Sequence, residues 1–402
     1  MITNQKSKIE NLKINRCLML FYTMIMSVSI CFADTIKEET PLKEKSYQDY
    51  FSLQRFTGSL GGYFERKNIH NKPDNGFTAL YGEINYTSPV RNDFGFSLGT
   101  MGHICLDETT DGDYDAAIQT DLLLRELYLT YQISKTLLRL GRHEIKPMFI
   151  LDDYYEGLSL TSKSFQNIAL HMALVYKFGK SDVDLTQNFK KLNHIYDGVD
   201  NYFLAMQMDW NLISKQLNIK PFACILPDGF ILYGLHGDYK EKLTHSELWG
   251  MVMDYYATDE DKTHGLANNT SVYHINAYVQ APLSILSGGV IQSDKSGGTR
   301  VGGIIDDYFN PFNEGYPFIY QKDAFTWYGK LMYMKDMYKF TLTYGQGKHD
   351  ADQLSPKHTE MDIDLTVIFM KKWQLLSNFS RVTVDALIDD YSKLELKLSH
   401  SF

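Results

Sequence analysis

Residues Leu137 to Pro147 read LLRLGRHEIKP and place three basic or titratable side chains within five positions, Arg139, Arg142 and His143. In an extended segment Leu138 and Leu140 point one way, while Arg139, Gly141 and His143 point the other. A guanidinium projecting into a narrow aqueous space attracts anions and grips a carboxylate through two parallel N–H bonds. Arg142 stands where the alternation gives way to a turn, and an ion pair within a wall is the alternative reading of either arginine. Carboxylates follow in two stretches, Asp152, Asp153 and Glu156 in LDDYYEG and Asp306, Asp307 and Glu314 in GGTRVGGIIDDYFNPFNEG. Folded inward, they would oppose the basic residues and set up a transverse field; left outside, they are solvated surface.

Other reactive types form no recognisable centre. LDETTDGDYDAA offers Asp107, Glu108, Asp111, Asp113 and Asp115 at alternating positions but lacks the spaced final Glu of a calcium loop. There is no His-Glu-x-x-His array, and no Ser motif forces a nucleophile and base together. Beyond the N-terminal region only Cys105 and Cys224 remain, too far apart for a metal spacing, with pairing in an oxidising compartment possible on chemistry alone. No metal, cofactor or enzyme activity is expected.

The elements that position these residues follow a two-residue rhythm. In IALHMALVYKF, Ile168, Leu170, Met172, Leu174, Tyr176 and Phe178 share one face, and Ala169, His171, Ala173, Val175 and Lys177 share the other. YFLAMQMDWNL separates Leu204, Met206, Met208 and Trp210 from Phe203, Ala205, Gln207 and Asp209. RELYLTYQI and TEMDIDLTVIF divide in the same manner, with Asp362 and Asp364 on the polar face of the second. Each segment is about ten residues, enough to cross a bilayer as a tilted strand. Aromatic residues at segment ends suit interfacial girdles.

Composition agrees with these patterns. The chain holds 28 Tyr and 23 Phe but only 10 Pro, and its net charge is -9. Residues 1–33 carry a basic opening, the apolar stretch CLMLFYTMIMSVSICFA and small residues at Cys31 and Ala33, the order of a secretory signal peptide. Those residues hold four cations and one carboxylate, so their removal would take the charge to -12. An acidic chain without basic tracts gives no reason to invoke nucleic acid. After Asp34 there is no apolar run long enough for a spanning helix.

The expected organisation is therefore a signal peptide at 1–33, a periplasmic leader at 34–49 and an all-β, transmembrane antiparallel barrel over 50–402. Eighteen strands are expected, with sixteen as the alternative, and that size leaves an aqueous channel. The last ten residues, KLELKLSHSF, read as the closing strand. Lys393, Glu395 and Lys397 should meet water, Leu394, Leu396 and Leu398 lipid, and Phe402 the periplasmic interface.

YGEINYTSPV, together with LLRELYLTYQISKTLLRLGRHEIKPMFILDDYYEGLSLTS, resembles the OprD-type outer-membrane porins, more closely their Helicobacter and Campylobacter Hof-like members. The resemblance implies passive diffusion of small hydrophilic solutes through a loop-constricted channel in a Gram-negative outer membrane. It also implies contact with outer-membrane lipid and lipopolysaccharide, handling by the outer-membrane assembly machinery, and a monomer or loose oligomer. In the family a ladder of arginines accompanies carboxylate channels; here Arg125, Arg139, Arg142, Arg300 and Arg381 are few, so the solute does not carry over. An adhesin anchored by a barrel and an outer-membrane hydrolase are the other readings.

Overall fold

The computed structural model describes residues 56–402, apart from positions 152, 195–198, 200–201, 261–268, 298–309, 316–318, 351–355 and 386–389. The expected signal peptide and leader lie outside the described residues, as do Asp152, Asp306 and Asp307. In chain order the strands are β1 (Phe56–Ile69), β2 (Phe77–Thr87), β3 (Phe94–Glu108), β4 (Leu122–Ile133), β5 (Thr136–Glu144), β6 (Tyr154–Phe165) and β7 (Ile168–Gly179). There follow β8 (Lys190–Lys191), β9 (Phe203–Leu212), β10 (Leu217–Leu226), β11 (Phe230–Lys242), β12 (Leu248–Glu260) and β13 (Thr270–Gln280). The wall continues through β14 (Ser284–Ser293), β15 (Phe325–Lys335), β16 (Tyr338–Lys348), β17 (Lys357–Phe369), β18 (Trp373–Val384) and β19 (Tyr391–Ser401).

Every wall strand pairs antiparallel with its sequence neighbours, and β19 returns to β1 from Ser59 opposite Ser401 to Ile69 opposite Tyr391. The two-residue β8 pairs only with the tip of β7, and β7 pairs with β9. Eighteen strands thus form a closed antiparallel barrel. Closure matters because an edge in hydrocarbon would leave unpaired N–H and C=O groups, each costing several kcal/mol. No helix among the described residues is long and apolar enough to cross a membrane; the barrel presents strands instead.

Connections differ between the two ends. At the end shared by both termini they run from two residues (134–135) to six (88–93). Ser134, Asn167 and Asp336 adopt positive φ there, the backbone that tight two-residue hairpins demand. At the other end they reach the length of 294–324.

The alternation sorts the wall as expected over most of its extent. Leu127, Leu129 and Leu140 are 53%, 59% and 56% exposed on the outside, whereas His171, Gln207, Asp254 and Asp362 are buried on the inside. One departure occurs between β6 and β7. Gly157 pairs with Val175 but Glu156 pairs with Lys177, so Tyr176 is an extra residue, a β-bulge. Beyond it the faces exchange: Lys177 turns outward and Phe178 is buried inside, contrary to simple alternation. Cys105 and Cys224 are unpaired, one exposed and one buried.

In the closing strand, Leu396→Arg at mid-wall is expected to destabilise the barrel by about 2–4 kcal/mol. Lys397→Gln, on the water-facing side, should cost far less. Urea titration in vesicles, read by gel mobility, checks the contrast; equal midpoints would refute the facing.

Candidate functional site

Among the described residues, long connections fold back into the barrel and narrow its lumen, those at 145–153, 180–189 and 310–315 among them. The first, 145–153, follows β5. Gln207, fully buried on β9, holds it at two points: its amide N–H donates to the Pro147 carbonyl at 3.0 Å and its Oε1 accepts from the Phe149 N–H at 3.2 Å. The same amide donates to Asp209 Oδ1 at 2.6 Å, and Asp209 lies 3.5 Å from His171. Met148, Ile150 and Leu151 then bury against wall residues such as Phe203, Phe222 and Phe230. Phe149 stands edge-on to Phe222, with the Lys220 ammonium 5.5 Å from its ring and the His236 ring 5.4 Å away.

Behind Phe149 the wall carries a continuous polar chain. Asp254 on β12 receives His236 Nδ1 at 2.6 Å and His274 Nδ1 at 2.7 Å, one to each oxygen. His274 Nε2 lies 2.8 Å from the Tyr328 hydroxyl, which also accepts from Asn276 at 2.7 Å. Four strands are tied at this level. The satisfied network leaves no isolated buried charge on Asp254, which would otherwise be strongly unfavourable.

The second connection, 180–189, lies against the opposite wall. Val183 packs with Tyr63, Phe77 and Met101, and Thr186 pairs with Ile118 and receives the Gln119 N–H at 3.1 Å. Asp184, half-buried, sits near Asp182, Glu395 and Lys393. Burial, then Asp182 and Glu395, push its carboxyl up to about 6.

The third, at 310–315, comes from between β14 and β15 yet reaches β19 and β1. The Glu314 carboxylate meets Lys67 and Lys393, each at 3.1 Å, and accepts from the Tyr391 hydroxyl at 3.2 Å. Its N–H donates to Glu360 at 2.7 Å, and the Asn313 N–H and side-chain amide reach Asp362 and Asp364. Burial alone would raise the Glu314 carboxyl, but Lys393 and Lys67 prevail and hold it below the usual carboxylate range.

The sequence-derived residues divide accordingly. Arg139 is on the inner face, its guanidinium 5.5 Å from the Tyr128 ring, with no carboxylate at ion-pair distance among the described residues. His143 also points inward but is fully buried, 2.6 Å from Ser159 Oγ and 3.1 Å from the Gly141 carbonyl oxygen, so it braces the wall rather than meeting the channel. Gly141 has φ +123, and a Cβ there would collide with the Leu127 carbonyl, which explains glycine between the two arginines.

Arg142 is not on the lumen. It pairs in register with exposed Leu127 on the outer face, binds Glu156 at 3.0 Å and covers the Phe189 ring at 3.7 Å. Asp153 lies 3.7 Å from Lys180, linking the bases of the first two connections. Glu395 and Glu65 join Glu314 around Lys393, at 2.8 Å and 3.3 Å, and Lys397 lies 5.5 Å from the Tyr81 ring. Phe402, exposed, donates its N–H to the Gly58 carbonyl at 3.1 Å beside the start of β1.

Among the described residues, the inner face carries both signs: Lys67 and Lys393 with Glu65, Glu314 and Glu395 at the seam of the first and last strands, and Arg139 on β5. In 106–117, Asp113 and Glu108 are engaged by the backbone N–H groups of Gly76, Thr110 and Gly112. Among the described residues no group of three or more His, Cys, Asp or Glu is placed to hold a metal ion. Gln207, Asp184, and the chain from His236 to Tyr328 escaped sequence reasoning as site residues. The inward parity of Gln207 was readable, but its loop partner was not.

A protonated Asp184 favours the inward pose. That pose should therefore gain stability as pH falls through about 6, with no further gain once the ordinary carboxylate value of 3.8 is passed. Amide exchange at 181–186, corrected for intrinsic rate, should slow between pH 7 and pH 5. Asp184→Asn should abolish the step; an unchanged wild-type profile would refute the assignment.

No protein-family model matches the chain, and no curated protein matches it. Solved structures do. OpdQ of Pseudomonas aeruginosa superposes with a TM-score of 0.72 at 15% identity, covering 86% of this chain and 98% of that one. OccAB4 of Acinetobacter baumannii gives 0.71 at 14% identity, over 86% and 97%. The outer membrane protein opdK of Pseudomonas aeruginosa gives 0.69 at 12%, over 86% and 98%. By superposition, this chain has the fold of the OprD/Occ outer-membrane porins.

Proposed function

We propose that the protein is an outer-membrane porin of a Gram-negative bacterium, giving passive, weakly selective and non-enzymatic diffusion of small hydrophilic solutes. The observation that carries this reading is the folding of three separate connections into one closed barrel, 145–153 and 310–315 held to the wall by hydrogen bonds to Gln207 and Glu360, and 180–189 by the packing of Val183 on Tyr63, Phe77 and Met101. A barrel serving only as an anchor has no need to hold loops at defined positions along its lumen. The closer affinity to Helicobacter and Campylobacter Hof-like members rests on YGEINYTSPV and the segment from Leu123 to Ser162, and is part of the same proposal.

Arg139 is the proposed lumen cation. Its positive charge lacks a carboxylate at ion-pair distance among the described residues and so acts on passing ions. Asp153 is a proposed rim residue, and Asp152, Asp306 and Asp307 remain proposed constriction residues outside the described ones. Lys393, Glu395 and Lys397 form the water-facing side of the closing strand, with Phe402 proposed as the end read by the assembly machinery. Lipopolysaccharide and outer-membrane lipid are the proposed surroundings, with a monomer or loose oligomer as the assembly.

Planar-bilayer recording tests the reading. Purified protein should give stepwise ohmic conductance; a folded preparation that never conducts would sink it. Arg139→Ala should move the reversal potential in a salt gradient toward cation preference, and an unmoved potential would remove Arg139 from the selectivity role.

Glu314→Gln removes the charge that bridges Lys67 and Lys393 and should release 310–315. The expected result is larger, noisier unitary conductance, and unchanged traces would exclude this connection as a constriction.

A further inference from the structure

Three pairs of lysines stand directly opposite each other on adjacent strands: Lys67 with Lys393, Lys177 with Lys191, and Lys348 with Lys357. Like charges in that position repel, so each pair calls for an anion. The chain supplies its own anion to two of them. Glu314 bridges Lys67 and Lys393 in the lumen, and Glu156 binds Lys177 at 2.6 Å on the outside. Lys348 and Lys357 have no carboxylate at ion-pair distance among the described residues, and both are exposed.

The surroundings of this third pair indicate what compensates it. Lys348 shares the outer face of β16 with Tyr344 and lies in register with Phe325 of β15. One step toward mid-wall, Gln346 donates to Thr359 at 3.4 Å and lies opposite Trp327, whose indole meets the Tyr344 ring edge-on at 5.8 Å. Farther along, exposed Leu331 and Leu365 continue the apolar belt. From rim to mid-wall the order is two ammonium groups, an amide and hydroxyl, an aromatic shelf, then aliphatic surface. An amphiphile with phosphate, sugar and acyl chains has the same order.

We infer that Lys348 and Lys357, with Gln346, Trp327 and Tyr344, form a docking site for a phosphorylated glycolipid of the outer leaflet. The two lysines clasp one phosphate, and the aromatic shelf supports the sugar to which it is attached. A soluble phosphate would use only the ammonium groups and leave the shelf idle. The inference rests on the outer-membrane reading, since it takes the long-connection end of the barrel as the outer one.

The test uses full-length protein refolded in detergent, freed of lipid and titrated with diphosphorylated lipid A, with bound lipid counted by native mass spectrometry. Each lysine near an anionic headgroup is worth about five-fold in affinity. K348Q/K357Q should therefore weaken binding by about 25-fold, while K348R/K357R retains it and K177Q/K191Q leaves it unchanged. Dephosphorylated lipid A should bind wild type and K348Q/K357Q alike. Equal binding of the phosphorylated lipid by wild type and K348Q/K357Q, or equal loss in K177Q/K191Q, overturns the site. Heat-dependent gel mobility confirms that each variant is folded. Conductance of the same preparations separates the two proposals: a silent channel that keeps the lysine-dependent lipid contrast supports this site and counts against the porin reading alone.

Discussion

The hydrogen bonding of β1 to β19 is the constraint on which the rest depends. In hydrocarbon a strand edge has no solvent to satisfy it, so the sheet is stable there only when its last strand meets its first. That pairing brings Glu65 and Lys67 beside Lys393 and Glu395, residues more than three hundred positions apart, and so assembles the charged seam to which 310–315 attaches. Barrel closure and lumen constriction therefore share the same residues.

A barrel of this width cannot be filled by the side chains of its own wall. Here the filling comes from connections, and each uses a different means of attachment. The 145–153 segment is held by one buried amide, Gln207, and an apolar cluster. The 180–189 segment uses bridge pairing and Val183, while 310–315 uses ion pairs and backbone donors to Glu360 and Asp362. Because these anchors differ chemically, pH and salt act on them unequally. Asp184 responds in the mildly acidic range, whereas Glu314 keeps its charge there through its two lysines.

Outer and inner faces of the wall solve like-charge contact by different routes. Inside, water and loop carboxylates are both at hand, and Lys67, Lys393 and Glu314 lock together. Outside, Arg142, Glu156 and Lys177 neutralise one another just past the apolar belt, where charge costs little. The cluster explains why an arginine that looked suited to the lumen is structurally at home on the other side.

Strand rhythm, turn chemistry and the amphipathic closing strand were legible in the sequence because they are local: period two assigns faces without knowledge of neighbours. Arg139 inside and Leu140 outside followed from that rule, as did Lys393, Glu395 and Lys397 on the inner face. The rule breaks where one residue is inserted. The bulge at Tyr176 reverses Lys177 and Phe178, and its presence depends on the register of β6 against β7. Loop placement lies further beyond local reading, since acidic composition does not distinguish a loop in water from one drawn inward. Only the closed barrel brings Gln207 under Pro147, or Lys67 and Lys393 to Glu314, because those contacts exist once strands distant in sequence share one wall. The sequence by itself determined a membrane barrel and the facing of most of its residues through short-range periodicity, whereas the shape and charge of its passage were decided by tertiary structure.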